Sequence, residues 1–121
     1  MARLTTIGLK TTLPDDRVVE DDGHVMVVGG QGVAIALTTL LRHSGAETGW
    51  LSLDPTEGWI LAATKDGWGY DLRVSDRVDL LQVKVSKHAW FRGAKPFRTF
   101  LDDLYQLLAD DPRFHDIQWI A

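Results

Sequence analysis

The chain has 121 residues, no cysteine and a formal net charge of −4, from 13 lysine and arginine against 17 aspartate and glutamate residues. This length predicts one domain over residues 1–121, because two half-sized cores would each be too small to offset the chain entropy. The lack of cysteine excludes disulfides, thiolate zinc sites and a thiol nucleophile. The acidic excess argues against broad affinity for nucleic acid. We recognise no signal peptide and no apolar run of membrane-spanning length, so we expect a cytoplasmic protein that does not bind membranes.

The N-terminal part predicts two strands separated by an acidic segment. Residues 2–10 carry Thr and Ile, which are typical of a strand. The apolar run of residues 24–28 predicts a short buried strand. Between them, residues 13–23 are bounded by proline and glycine and predict a loop or an edge hairpin. The acidic residues of this segment are Asp15, Asp16, Glu20, Asp21 and Asp22.

A glycine-rich turn, residues 29–32, leads into the first predicted helix. Apolar residues recur at helical spacing from Gln31 to His43, and Gly45 follows as a stop signal. Glycines before a helix can form a phosphate-binding loop. However, Ile35 occupies the position of the third glycine of the dinucleotide fingerprint. The backbone angles of a tight turn are therefore the favoured reason for these glycines, and a ligand site is the alternative.

The middle of the chain repeats Gly-Trp three times at a spacing of nine residues, at Trp50, Trp59 and Trp68. Nine residues accommodate a short strand and a tight connection, so this segment predicts a β-meander. Residues 68–74 and 81–85 alternate apolar with polar side chains, as half-buried strands do. Tryptophan in a small domain is more often part of the core than the wall of a cleft. We therefore favour core positions for these three tryptophans, with a ligand cleft as the alternative.

The second helix is predicted by an apolar stripe that begins beside Pro96 and ends before Pro112. The stripe consists of Phe97, Phe100, Leu101, Leu104, Leu107 and Leu108. The polar residues that lie off the stripe, facing water, are Asp102, Asp103, Gln106 and Asp110. Residues 115–121 then predict a last strand. The order of elements predicts an α+β fold, in which an antiparallel meander sheet packs against two amphipathic helices.

A basic segment precedes the second helix. Residues 80–101 carry five positive charges and no negative charge, whereas residues 102–121 carry five negative charges and one positive. Within the basic segment, Trp90 and Phe91 lie next to a predicted turn and are candidates for partner contact. Packing of both rings beneath the second helix is an equally weighted alternative. RNA binding through residues 84–98 is a weaker hypothesis, because the neighbouring segments are acidic.

We recognise no motif for catalysis or metal binding in the sequence. The four histidines are scattered singly, and no Gly-x-Ser-x-Gly elbow is present. Adjacent carboxylates on a helix point apart, so Asp102 and Asp103 make a poor acid–base pair. The sequence therefore predicts a protein that is not an enzyme, with no catalytic residue, no metal and no cofactor.

The general character of the chain resembles a group of small bacterial proteins. It is short, acidic, free of cysteine and rich in tryptophan, and it closes with the segment FRTFLDDLYQLLADDPRF followed by IQW. In these respects it resembles the immunity proteins of polymorphic toxin and contact-dependent growth inhibition systems. The resemblance covers the whole chain without a diagnostic motif and assigns no site residue. It implies a cytoplasmic, non-catalytic protein that binds the C-terminal domain of one secreted toxin, often a nuclease, and blocks its active site.

The interface expected for such a partner combines the acidic clusters with the two exposed aromatic candidates, since charge complementarity raises association rate and selectivity. The predicted partner-binding residues are Asp15, Asp16, Glu20, Asp21, Asp22, Trp90, Phe91, Asp102, Asp103, Gln106 and Asp110. The alternative function is a small-ligand-binding or enzymatic α+β domain that uses the Gly29–Gly32 turn and the Trp-rich meander as the walls of a cleft.

Overall fold

The structure is a computed structural model, and it describes residues 5–14, 18–19, 21–23, 25–27, 29–77, 80–89 and 91–120. Its elements in chain order are β1 (Thr6–Thr11), β2 (Val18–Val19), β3 (Val25–Val27), α1 (Gln31–His43), β4 (Glu47–Asp54), β5 (Gly58–Lys65), β6 (Trp68–Asp76), β7 (Leu81–Lys87), α2 (Ala94–Asp110) and β8 (Phe114–Ile120). Both predicted helices and the β-meander are confirmed. The boundaries of α1 are those that the apolar spacing predicted.

Six strands form one antiparallel sheet in the order β4-β5-β6-β7-β1-β8. The meander supplies the first four strands, and the strands nearest the two chain ends complete the sheet beside it. The predicted α+β fold, with an antiparallel sheet and two helices, is therefore confirmed. The predicted second strand, in contrast, pairs with β2 in a separate two-stranded sheet.

One face of the six-stranded sheet holds the core, because buried side chains alternate along each inner strand. On β6, for example, Tyr70, Leu72 and Val74 are buried. Both helices contribute to the same buried cluster, α1 through residues such as Leu37 and α2 through residues such as Leu104. The predicted apolar stripe of α2 therefore faces the sheet, and its polar side is left to solvent.

The two edge strands of the sheet both contain irregularities. In the pairing of β4 with β5, the register shifts between Thr48 and Leu51. In the pairing of β8 with β1, it shifts between Gly8 and Lys10 of β1. The second shift lies beside Asp116, a non-glycine residue with a φ of 52°. Bulges of this kind bend an edge and discourage pairing with another chain.

Gly30 confirms that a backbone requirement explains at least one glycine of the turn before α1. Its φ is 101°, a value that side-chain-bearing residues rarely adopt. A Cβ atom at this position would lie 3.2 Å from Cγ1 of Val74 in the sheet. The glycine thus permits both the turn and the close approach of the helix start to β6.

The tryptophans occupy different environments, and the predicted core position is wrong for Trp50. Trp59 and Trp68 are partly buried against the core, whereas Trp50 is 95% exposed. Leu51 faces the core from the next position, so the alternation of a strand turns Trp50 away from it. In the sheet of the described residues, β4 is an edge strand with β5 as its neighbour.

Candidate interaction surfaces

The outer side of α2 brings together the four polar residues that the sequence singled out on this helix. Asp102, Asp103, Gln106 and Asp110 are all exposed. Asp102 forms an ion pair with Arg98, which lies one helical turn earlier. The distance from Arg98 Nη2 to Asp102 Oδ1 is 2.9 Å. Gln106 Nε2 donates a hydrogen bond of 2.8 Å to Asp110 Oδ1. These contacts hold the side chains along one solvent-facing strip, which we call the acidic face of α2.

The charges of α2 run opposite to the order that the helix dipole favours. Carboxylates stabilise the positive N-terminal end of a helix and cations stabilise the negative C-terminal end. In α2 the first turn contains Lys95 and no acid, while the last turn contains Asp110 and no base. Helix α1 has the ordinary arrangement at its C-terminal end, with Arg42 and His43 in its last turn. The C-terminal end of α2 is therefore unusually negative.

Asp111, immediately after α2, is neutralised locally by Arg113. The guanidinium approaches the carboxylate at 2.7 Å through Nη2 and at 3.0 Å through Nε. The side-chain hydrogen bond from Arg113 lowers the pKa of Asp111, and the backbone N–H of Arg113 lowers it further. Asp111 is thus engaged in closing the end of the helix, and Asp110 carries the negative charge that faces outward.

The N-terminal acidic segment is only partly described. Asp21 and Asp22 are exposed at the turn that precedes β3. Asp15, Asp16 and Glu20 lie outside the described residues. The β2–β3 hairpin forms its own two-stranded sheet. The prediction that this segment and α2 act on the same partner stays a prediction.

Of the two aromatic residues of the basic segment, the structure describes Phe91, and Trp90 lies outside the described residues. Phe91 is 67% exposed, so the alternative in which its ring is buried beneath α2 is wrong. The Arg92 guanidinium carbon lies 5.5 Å from the Phe91 ring centroid and 5.6 Å from that of Trp68. Such distances are those of cation–π contacts.

Two other cations of the basic segment already have partners. Lys87 Nζ donates a hydrogen bond of 3.2 Å to the carbonyl oxygen of Arg92. Arg98 is paired with Asp102 and lies over the ring of Trp119, 5.0 Å from its centroid. This arrangement weakens the hypothesis of a continuous basic strip that tracks an RNA backbone.

Sequence reasoning missed two features. The first is Trp50, which lies exposed on the edge strand β4. The second is a cleft around Trp68, which we call the Trp68 cleft. It consists of two adjoining hollows of about 310 and 420 Å³, and both are lined by Asp66 and Trp68.

The Trp68 cleft is assembled from distant segments. The first hollow lies between the start of β6 and the N-terminal half of α2, where Tyr70 and Pro96 contribute to its walls. The second lies beside His88 and Arg92. Burial raises the pKa of Tyr70, and the neighbouring Asp66 carboxylate raises it further. No local pattern in the sequence indicates that these segments meet.

The glycine turn and the Trp68 cleft do not form one site. Gly30 packs beside Val74, whereas the cleft surrounds Trp68 at the other end of the same strand. Six strand residues span about 20 Å. The turn therefore does not form a wall of the Trp68 cleft. A Cβ atom on Gly30 would, however, lie 3.8 Å from Cδ1 of Trp59, so the turn does adjoin the meander, and a ligand cleft between the two stays a prediction.

Within the described ranges, no group of three or more His, Asp or Glu side chains is arranged to hold a metal ion. In the same residues, neither helix has the length and apolar character needed to cross a membrane.

Comparison of the chain with protein-family models, with curated proteins and with solved structures found no significant match.

Proposed function

We propose that this protein is a binding protein, not an enzyme, and that it recognises a protein partner with a basic surface through the acidic face of α2. By the resemblance of the sequence, the partner is the C-terminal domain of a secreted bacterial toxin, most suitably a nuclease. The protein would act in the cytoplasm as an immunity protein that occludes the active site of that domain.

The observation that carries the proposal is the reversed order of charges along α2. Each misplaced charge at a helix end sacrifices about 0.3–1 kcal/mol relative to the favoured sign. The hydrogen bond from Gln106 to Asp110 returns only about 0.2–0.5 kcal/mol, so stability of the fold does not fully account for Asp110 in the last turn or for Lys95 in the first. Residues that break a local rule without a structural gain are characteristic of functional surfaces.

The chemistry of a nuclease fits this surface. An enzyme that binds nucleic acid needs a basic substrate cleft. An exposed carboxylate strip at the negative end of a helix complements such a cleft and accelerates encounter with it. Asp102 and Asp110 lie about two helical turns apart on this strip. The negative charge is therefore spread along the helix and is not confined to one point.

The test begins with the gene immediately upstream, which we expect to encode a secreted protein with a variable C-terminal domain. That domain is co-expressed with this protein, and protection of growth and the dissociation constant are measured. The double variant Asp102→Lys, Asp110→Lys should weaken binding by at least about tenfold. The absence of such a neighbouring gene would contradict the toxin assignment.

A matched control changes the same number of charges elsewhere. Glu47→Lys with Glu57→Lys alters two exposed acids on β4 and in the turn that follows it. If this control weakens binding as much as the α2 variant, net charge alone is responsible and the proposed interface is wrong. Circular dichroism of both variants confirms that they are folded.

A further inference from the structure

A second, independent feature of the molecule is the Trp68 cleft. Asp66 and Trp68 line both of its hollows, of about 310 and 420 Å³. Lys95 lines the first hollow and Arg92 the second. Sites for small organic ligands typically have volumes in this range, with mainly apolar walls and a few polar groups. The cleft therefore has the size of a ligand site, and the character of its walls decides which ligand fits.

The aromatic walls of the cleft are held in place by glycines. A Cβ atom on Gly93 would lie 2.7 Å from Cζ3 of Trp68, so the backbone before α2 rests directly against the indole. A Cβ atom on Gly69 would clash with Nδ1 of His88. The other ring nitrogen of His88, Nε2, is 3.0 Å from Oδ1 of Asp71. Rings fixed in this way do not have to be ordered when a ligand binds, which favours affinity.

The cations of the cleft are unequally neutralised. Lys65 Nζ is hydrogen-bonded to the Ser44 carbonyl oxygen at 3.1 Å and lies 4.0 Å from a carboxylate oxygen of Asp103. In the part of the chain that the structure describes, neither Arg92 nor Lys95 has a carboxylate within ion-pair distance. Asp66 is the one remaining acid of the cleft lining among the described residues. Two cations against one carboxylate favour an anionic ligand.

Arg92 is suited to bind that anion. Its guanidinium carbon lies over both the Phe91 and the Trp68 ring, 5.5 and 5.6 Å from their centroids. Stacked guanidinium groups keep their N–H edges available for bidentate recognition of carboxylate or phosphate. Trp68 also lines the hollow between β6 and α2, and an indole that borders a cavity can stack with a planar ring.

From this geometry we infer that the Trp68 cleft binds a small organic anion that carries a planar aromatic ring. The ring stacks on Trp68, and its carboxylate or phosphate group is bound by Arg92 and Lys95. The cleft shares Asp103 with the acidic face of α2, but Asp102 and Asp110, which the partner-binding test exchanges, do not line it.

The test follows the indole N–H signals of the full-length protein by nuclear magnetic resonance. Five tryptophans give five such signals, and the variant Trp68→Phe identifies that of Trp68. Two anionic probes distinguish the possible sources of the anion: indole-3-acetate carries a carboxylate and adenosine monophosphate carries a phosphate. Indole-3-acetamide, adenosine and inorganic phosphate lack either the charge or the ring.

We expect at least one anionic probe to shift the Trp68 signal saturably, with affinity about tenfold higher than that of its neutral analogue. Arg92→Gln and Lys95→Gln should each weaken binding of that probe, by about tenfold for the bidentate arginine. The control Lys84→Gln removes an exposed charge on β7 and should leave the dissociation constant unchanged.

Three results would overturn the inference. One is the absence of a saturable shift with both anionic probes. Another is equal binding of the neutral analogues or of inorganic phosphate, which would remove either the charge or the ring from the recognised chemistry. The last is equal weakening by Lys84→Gln and Arg92→Gln. None of these results affects toxin binding by α2, so the two proposals fail separately.

Discussion

Gly93, the residue before α2, packs directly against Trp68 of the meander. Its φ is 80°, and a Cβ atom there would approach the Trp68 ring to 2.7 Å. Replacement by alanine therefore adds a steric clash to the backbone cost of a left-handed conformation.

We expect Gly93→Ala to lower the free energy of unfolding by about 2–3 kcal/mol, measured by urea denaturation. Gly67→Ala is the matched control, because Gly67 has a φ of 82° and no neighbouring atom within 4 Å of an added Cβ. It should show the backbone cost alone, about 1–2 kcal/mol. Equal losses in both variants would contradict the contact with Trp68.

Asp111 provides a prediction with a definite pH dependence. The side-chain hydrogen bond from Arg113 lowers its pKa in the folded state, and the carboxylate is 10% exposed. A group with a lowered folded pKa adds stability above its unfolded pKa, about 3.9. That contribution is lost as the pH falls through the folded value.

We therefore expect Asp111→Asn to cost roughly 1 kcal/mol at pH 7, because Arg113 is partly exposed and its charge is screened. The difference between the two proteins should shrink as the pH is lowered below about 4. Thermal denaturation across the range from pH 7 to about 2 measures it. Asp21→Asn, at an exposed turn, is the control, and a difference that persists at low pH would contradict the assignment.

At the scale of elements, α1 and α2 place opposite charges at their C-terminal ends. We expect Asp110→Lys to raise the free energy of unfolding by about 0.5–1 kcal/mol at low ionic strength, because a cation replaces an anion in the last turn. His43→Glu makes the opposite change in the last turn of α1 and should lower stability by a similar amount. Both are measured by chemical denaturation. A loss of stability in Asp110→Lys would remove the physical basis of the proposed function.

For some elements, the local sequence pattern was sufficient to predict the structure. The apolar stripe of α2 predicted which side is buried, as Leu104 and Leu108 confirm. The turn at Asp66 and Gly67, both with positive φ, is the two-residue hairpin turn that its sequence favours. In each case the deciding interactions lie within a few residues along the chain.

At the scale of the whole molecule, the net charge of −4 predicts electrostatic steering of a basic partner. We expect the association rate constant with the toxin domain to fall by about tenfold or more between low and high salt, while the dissociation rate changes much less. Stopped-flow fluorescence measures both. The variant Asp102→Lys, Asp110→Lys should show a shallower dependence on salt, and an association rate that is independent of salt would contradict steering.

The sequence by itself determined the α+β class, both helices with their buried sides, the meander and the acidic strip on α2. These features depend on helical and strand periodicity, which the spacing of apolar residues along a short segment determines. Only the tertiary structure decided that β1 lies between β7 and β8, that the β2–β3 hairpin leaves the main sheet, and that Trp50 is exposed at an edge. It also brought Trp68, Arg92 and Lys95 to one cleft. These outcomes depend on which distant segments bury each other's apolar surface. The spacing of residues within one segment does not determine such long-range contacts.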